Sequence, residues 1–246
     1  SLVTTYAYDP LNRLTSVKYP LGNTVTYSYD PMGNRMSMVS KLGKISSTTS
    51  YTYDAGDQLL SAGKTSFAYD NNGNMIQKTE QGKTTTYAYD GSNRLSTVTL
   101  SQSSGHRMAG LENSVNENDA ETSRDSVNEK DTGASRNAGK GKAKTTTVHF
   151  TYDGDGVRTG KSTTTQSKTD STQYLWDINH GLPQILTESD AKGTALYSYG
   201  LGRISMADPK KGPMYYQYDG LGSVRGLTDR KGMTKGLYAY DAFGNS

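Results

Sequence analysis

The sequence contains no cysteine, a single tryptophan and only three phenylalanines among its 246 residues. The absence of cysteine excludes disulfides, thiol catalysis and cysteine-ligated zinc, and it leaves the redox compartment open. Leucine, isoleucine, valine and phenylalanine together number 36. These 36 residues are about 15% of the chain, and below roughly 20% disorder becomes a real alternative to a folded structure. A core made of aliphatic side chains is therefore excluded.

Long apolar runs and a strong charge of either sign are also missing. No run approaches the roughly 20 apolar residues of a membrane-spanning helix, so no membrane span is expected. The net charge of +3 is evenly distributed, so the sequence has no basic patch of the kind that binds nucleic acid. No basic and apolar leader precedes the first strand-like segment, which indicates a fragment of a longer protein.

Tyrosine is abundant and supplies the apolar area that the aliphatic residues do not. Each of the 19 tyrosine rings can bury about 150 to 250 Å² while its hydroxyl remains hydrated. The rings recur in a tetrad of the form aromatic, any residue, aromatic, Asp. Eight tetrads end in Tyr-Asp, at residues 6–9, 27–30, 51–54, 67–70, 87–90, 150–153, 216–219 and 238–241, and degenerate copies lie at 174–177 and 197–200.

The tetrads divide the chain into two arrays. The second aromatic recurs at intervals of 16 to 24 residues, with one interval of 63 residues. The long interval contains a polar stretch without aromatic residues, which has too little to bury to offset the entropy of ordering. We therefore predict repeats over 1–100, a disordered polar insertion over 101–146, and repeats over 147–246, with five tetrads in each array.

Each repeat has the pattern of a β-hairpin. Thr24–Tyr29 alternates apolar residues with Thr and Ser, as a half-buried strand does. Asp30 and Gly33 are typical of a type I turn followed by a left-handed residue, so the Asp is predicted to be structural. In the return arm, Leu14 and Val17 are three residues apart, which predicts a β-bulge or strong twist there.

A lone hairpin is marginal in water, so neighbouring hairpins must stack into a continuous sheet. The predicted fold is all-β, with repeated antiparallel hairpins stacked into a curved, spiralling sheet. Ten tetrads at two strands each imply roughly twenty strands, which is more than an open sheet usually carries without curling. We expect an open, curved sheet.

These motifs resemble those of the YD-repeat, or Rhs-repeat, family. The family includes bacterial Rhs and wall-associated contact-dependent toxins, shells of insecticidal toxin complexes and the related region of teneurins. Residues 27–36 and 87–95 match its repeat closely. Residues 215–229 and 238–245 resemble the opening of the Rhs-associated core. The resemblance covers all of the chain except the insertion.

The resemblance implies a non-catalytic scaffold, one part of a β-shell that encapsulates and helps to deliver a C-terminal toxin domain. The implied partners are that toxin domain and further YD repeats of the same polypeptide. The implied location is secreted or on the bacterial cell surface. The chain ends before any cleavage motif of the core, so no catalytic, metal or cofactor-binding residue and no cofactor is assigned.

Three local motifs resemble sites with other chemistry, and each departs from the pattern that the chemistry requires. Gly156–Ser162 has three residues between its glycines where a phosphate-binding loop needs four. Asp153–Gly156 has Thr164 where a calcium loop requires a bidentate Glu. The three histidines are not accompanied by any nearby pattern of nucleophile and carboxylate. They are His106, His149 and His180.

An alternative function follows from the same rings. Exposed tyrosines can stack on sugars, so an adhesion module that binds cell-surface glycans or a partner protein would have a similar composition. Of the 19 tyrosines, 17 keep the repeat register, and only Tyr19 and Tyr215 lie outside it. This regularity favours rings that pack on neighbouring repeats. Glycan binding by the isolated chain would favour the adhesion module.

Overall fold

The computed structural model describes residues 3–102, 144–179, 181–241 and 243–244. These residues form nineteen β-strands, each paired antiparallel with the next strand in sequence, so the sheet is a continuous meander. The strands are β1 Thr5–Tyr8, β2 Leu14–Lys18, β3 Thr24–Tyr29, β4 Arg35–Leu42, β5 Ile45–Tyr53, β6 Leu59–Ala62, β7 Thr65–Tyr69, β8 Met75–Glu80, β9 Lys83–Tyr89, β10 Leu95–Gln102, β11 Thr145–Tyr152, β12 Arg158–Thr165, β13 Lys168–Asp177, β14 Gln184–Asp190, β15 Gly193–Tyr199, β16 Arg203–Asp208, β17 Gly212–Tyr218, β18 Val224–Asp229 and β19 Thr234–Leu237. One turn of 3₁₀ helix spans Pro20–Gly22. No helix in the described ranges has the length and apolar character to cross a bilayer.

The all-β fold and the hairpin repeat predicted from the sequence are confirmed. Every tetrad except the last lies at the end of a strand, and in the tetrads that end in Asp this residue begins the turn to the next strand. In the first hairpin the Asp9 amide donates to the Arg13 carbonyl, and the Asn12 amide donates to the Asp9 carbonyl. The third residue after the tetrad Asp has a positive φ in eight turns, and Gly33 has the largest value among them, 99°. We call the side of the sheet with these turns the Asp-turn edge. Short turns such as Gly43-Lys44 close the opposite edge.

The predicted bulge is present in the return arm of the hairpins. In the first hairpin Ala7 pairs with Ser16 and Tyr8 pairs with Leu14, so Thr15 is the extra residue. The same shift recurs in the hairpins that follow. Because a bulge resets the alternation, Leu14 and Val17 both pack in one apolar cluster.

The core is a thin layer on one face of the sheet, which we call the ring face because the tetrad rings lie on it. All buried hydrophobic residues except Tyr51 fall into three separate clusters, and the described residues include no buried polar or charged residue. The clusters consist of Val17, Val25 and Tyr27; of Val98, Val148 and Phe150; and of Ile185, Ala195, Tyr197, Met206, Met214, Tyr216 and Leu227. The most deeply buried side chains are those of Ile185, Val17 and Val98, and the tetrad rings pack beside such aliphatic residues. The core is therefore mixed, which corrects the expectation that aliphatic side chains would not form it.

The strand ladder continues across the polar segment that divides the two arrays in the sequence. Strands β10 and β11 pair directly, with Ser101 opposite Thr145, and both strands extend into the predicted insertion. Residues 103–143, which include His106, lie outside the described residues, so the predicted disorder stays a prediction. The two arrays nevertheless form one sheet.

The last tetrad is not a strand, which corrects the expectation that all ten copies form hairpin arms. Strand β19 ends at Leu237, and residues 238–240 are not in a strand. The turn itself is retained, since the Gly244 amide donates to the Asp241 carbonyl. No described strand follows to pair with this tetrad, and a lone arm is marginal in water.

The turn geometry makes a first prediction. Gly33 has φ 99°, and a Cβ added there would meet no atom within 4 Å, so Gly33→Ala tests backbone strain alone. We expect a loss of roughly 1 to 2 kcal/mol in the free energy of unfolding, measured by urea denaturation. The matched control is Gly91→Ala, in another Asp turn, where φ is not positive and the added Cβ also has free space. Equal effects of the two changes would contradict the assignment of strain to the Gly33 position.

Candidate functional site

The functional element of this sheet is the junction between neighbouring hairpins. At each of the eight junctions from β2–β3 to β16–β17, backbone pairing stops before the Asp-turn edge. It ends two residues short of the start of the return strand, or three residues short at β14–β15. The β2–β3 ladder, for example, ends at the Ser16–Thr26 pair, although β2 begins at Leu14. Without further contacts, adjacent hairpins would separate along this edge.

The second ring of the tetrad closes that gap. The Tyr29 hydroxyl donates a hydrogen bond of 2.7 Å to the carbonyl oxygen of Leu14, on the preceding hairpin. In every case the acceptor is the residue immediately before the bulge. The equivalent bonds join Tyr53 to Arg35, Tyr69 to Leu59, Tyr89 to Met75, Tyr152 to Leu95, Tyr199 to Ile185 and Tyr218 to Arg203. We call these bonds the ring staples.

The degenerate tetrad at 174–177 preserves the staple with a different group. The Trp176 indole Nε1 donates to the carbonyl oxygen of Arg158 at 2.6 Å. Tryptophan and tyrosine share an apolar body with one donor at its tip. The position therefore requires a ring that donates a hydrogen bond, and phenylalanine does not meet that requirement.

Burial of the rings changes their acid–base behaviour. Burial raises the pKa of Tyr27, the first ring of its tetrad, to about 12. Burial also raises the pKa of the stapling tyrosines Tyr29, Tyr53, Tyr69 and Tyr89 above the ordinary value. Each of these hydroxyls is consequently held in the protonated form, which is the form that can donate to a carbonyl.

Arginines at the start of the return strands stack on the rings. The guanidinium of Arg13 lies 5.0 Å from the centroid of the Tyr29 ring, and that of Arg94 lies 4.9 Å from the Tyr152 ring. Both rings belong to the next hairpin. Arg13 also donates from Nη1 to the Asp30 carbonyl, at 2.8 Å. One side chain thus joins two hairpins through a ring and a turn.

The tetrad aspartates organise the turns, as predicted. Oδ1 of Asp9 accepts the amides of Leu11 and Arg13, each at 2.9 Å. The Arg13 amide is the main influence that lowers the Asp9 pKa, and Arg94 acts in the same way on Asp90. These carboxylates are committed to their own turns.

The sequences that resemble a calcium loop or a phosphate-binding loop lie in ordinary turns and strands of the repeat. Asp153 Oδ1 accepts the amides of Asp155 and Val157, so this sequence forms an Asp turn. Most of the loop-like sequence 156–162 belongs to β12. His149 is exposed on β11 and its Nδ1 lies 3.0 Å from Thr97 Oγ1. His180 lies outside the described residues. Within the described ranges, no group of three or more metal-ligating side chains occurs.

The acceptors of the ring staples cannot be recognised in the sequence. Leu14, Arg35 and Leu59 have unrelated side chains, because the acceptor is a backbone carbonyl whose position depends on the bulge. The available signal was the constant place of the second ring and its replacement by another donor at Trp176.

The fold and the staples define a class of protein, a hairpin-repeat β-sheet scaffold. The RHS Repeat family model matches residues 1–24, 8–45 and 69–104. Over these ranges the chain carries RHS, or YD, repeats, and the matches support a structural role for it.

Two curated relatives match nearly the whole chain. They are the tRNA3(Ser)-specific nuclease WapA of Bacillus spizizenii and the tRNA nuclease WapA of Bacillus subtilis strain 168. Each is 27% identical over 239 residues, or 97% of this chain. The chain spans only 8% of the length of either relative.

Two solved structures show a more distant likeness. They are the crystal structures of TcdB2-TccC3 and of TcdB2-TccC3-Cdc42, each at 12% sequence identity. The TM-scores are 0.35 and 0.32, over 92% and 98% of this chain and 12% of the matched chains. These likenesses are too distant to bear on function.

The ring staples make a second prediction. Tyr29→Phe keeps the ring but removes the bond to the Leu14 carbonyl, and we expect a loss of about 0.5 to 1.5 kcal/mol in stability, measured by urea denaturation. Tyr8→Phe is the matched control. Tyr8 holds the same tetrad position but is 59% exposed, and its hydroxyl has no hydrogen bond to the described residues. A Tyr8→Phe loss as large as that of Tyr29→Phe would contradict the staple.

The raised tyrosine pKa values make a third prediction, for alkaline solution. A group whose pKa is raised by folding contributes stability that is complete below its unfolded value and is lost as the pH rises through the folded value. Melting temperatures should therefore hold up to about pH 10, the ordinary tyrosine pKa, and fall towards about pH 12. Circular dichroism melts across this range provide the measurement. Tyr29→Phe should weaken the alkaline decline, and an unchanged decline would contradict the assignment to the staples.

Proposed function

We propose that this chain is a wall segment of an Rhs-type β-shell that encloses a C-terminal toxin domain of the same polypeptide and helps to deliver it. The observation that carries the proposal is the unbroken meander of nineteen strands, stapled at eight hairpin junctions, including the junction across residues 103–143. A sheet without gaps between hairpins can keep an enclosed domain from solvent and substrate.

The junction across the polar segment supports this reading most directly. The Tyr152 hydroxyl donates to the Leu95 carbonyl at 2.7 Å, and Arg94 donates to the Asp153 carbonyl at 3.1 Å. Both contacts repeat the bonds seen between hairpins that are close in sequence. The contacts between hairpins are therefore maintained at the junction where the long polar segment interrupts the repeat.

The relatives provide the toxin context of the proposal. They are named as tRNA nucleases, and this chain corresponds to a small part of each. We infer that the present chain is not itself the catalytic part, because its recurring carboxylates are used in turns and its recurring rings in staples. A protein with this role would act outside the bacterial cell or at its surface.

The test uses the full-length gene product that contains these repeats. Val98 is 2% exposed on the ring face of β10, and Val98→Asp would place a charge in the wall. We expect the wild-type repeats to protect a downstream domain from trypsin and Val98→Asp to expose it. Thr86→Asp, at an exposed position of the neighbouring strand β9, is the matched control and should preserve protection.

Two results would contradict the proposal. One is a downstream segment that is digested equally fast in the wild type and in the Val98→Asp variant. The other is cleavage of tRNA by the purified 246-residue chain alone. Binding of the chain to a glycan array, together with an unprotected downstream segment, would instead support the adhesion module.

A further inference from the structure

The two ends of the sheet meet, although they are far apart along the strand order. Strands β3 and β19 are separated by sixteen strand spacings, which would place them roughly 75 Å apart in a flat sheet. The ring of Phe243, which follows β19, nevertheless lies 5.1 Å from the ring of Tyr27 on β3, at an interplanar angle of 82°. The sheet therefore curls almost through a full turn.

The curl is directed towards the ring face. Val25, Tyr27 and Met38 pack together in one ring-face cluster. The same residues line a cleft whose other side is formed by Ala239, Tyr240 and Asp241. The segment of residues 238–241 and 243–244, which we call the C-terminal segment, thus lies inside the curl, against β3 and β4.

Phe243 occupies a turn position that is normally exposed. It is the second residue after Asp in its turn. The equivalent residues Leu11, Met32 and Leu221 are 69%, 76% and 94% exposed. Phe243 is 48% exposed because its ring is partly covered by the far end of the sheet.

Arg35 makes the contact specific. Its guanidinium lies 4.8 Å from the Phe243 ring, 4.5 Å from the Tyr51 ring and 5.7 Å from the Tyr27 ring. The other arginines in such contacts meet only rings of their own or the next hairpin. At Arg35, a third ring arrives from the opposite end of the chain.

The seam between the two ends is held by side chains. Within the described ranges, the paired residues join only strands that are consecutive in sequence, so β19 and β1 are not bonded to each other. The seam also contains a cleft of about 380 Å³. Contacts of this kind can separate without breaking any strand pair.

We propose that the Phe243 ring is a latch that holds the curl of the sheet closed against Tyr27 and Arg35, at a seam that can open while all strands stay paired. The latch deepens the proposed shell function, on which its biological meaning rests. An opening at this seam would give an enclosed domain an exit that does not require unfolding of the wall.

The experiment measures the distance across the seam. The chain has no cysteine, so Met32→Cys and Lys231→Cys provide two unique spin-label sites in exposed turns. Double electron–electron resonance should give one narrow distance distribution for the labelled parent. Phe243→Ala should shift it to longer distances and broaden it, whereas Phe243→Tyr, which keeps the ring, should match the parent.

Leu221→Ala is the matched control, because it removes an apolar side chain from the same turn position without a ring contact. Far-UV circular dichroism should show an unchanged strand signal in every variant. An unshifted distribution in Phe243→Ala, or an equal shift in Leu221→Ala, would overturn the latch. This measurement involves no toxin domain, so it tests the latch separately from the shell. If Phe243→Ala opens the seam but the wild type does not protect a downstream domain, the shell is rejected and the latch is supported.

Discussion

One type of hydrogen bond, from a ring to a backbone carbonyl, joins neighbouring hairpins where their backbone pairing ends. The bulge in each return arm disturbs the ladder, and pairing between hairpins ends two residues short of the Asp-turn edge. The second ring of the next tetrad reaches across and donates to the carbonyl beside the bulge. The bulge and the ring therefore act together, because the ring donates its hydrogen bond to the carbonyl beside the bulge.

Each such contact is weak alone, and the array depends on repetition. A hydrogen bond of this kind contributes about 1 kcal/mol, and an arginine over a ring contributes about as much. In a repeat protein each unit contacts only its neighbours, so stability is approximately the sum of intrinsic and junction contributions. This explains how a chain with three small buried clusters maintains nineteen strands.

Much of this architecture could be predicted from the sequence, because the relevant signals are local. The alternation in Thr24–Tyr29 identified the strand, Asp30 and Gly33 identified the turn, and the Leu14–Val17 spacing identified the bulge. The staples could not be predicted, since their acceptors are carbonyls whose positions follow from the register. The contact of Phe243 with Tyr27 was inaccessible for a different reason. It depends on the accumulated twist and curvature of sixteen strand spacings, which no local pattern encodes.

The pairing of β10 with β11 shows that the geometry of the sheet does not depend on the length of the connection between two strands. Ser101 faces Thr145 in the same register that a two-residue turn would give. The entropy of closing a loop rises only slowly with its length, by about 0.6 kcal/mol for each doubling. At this junction the strand ladder is thus independent of the number of residues that connect its two strands.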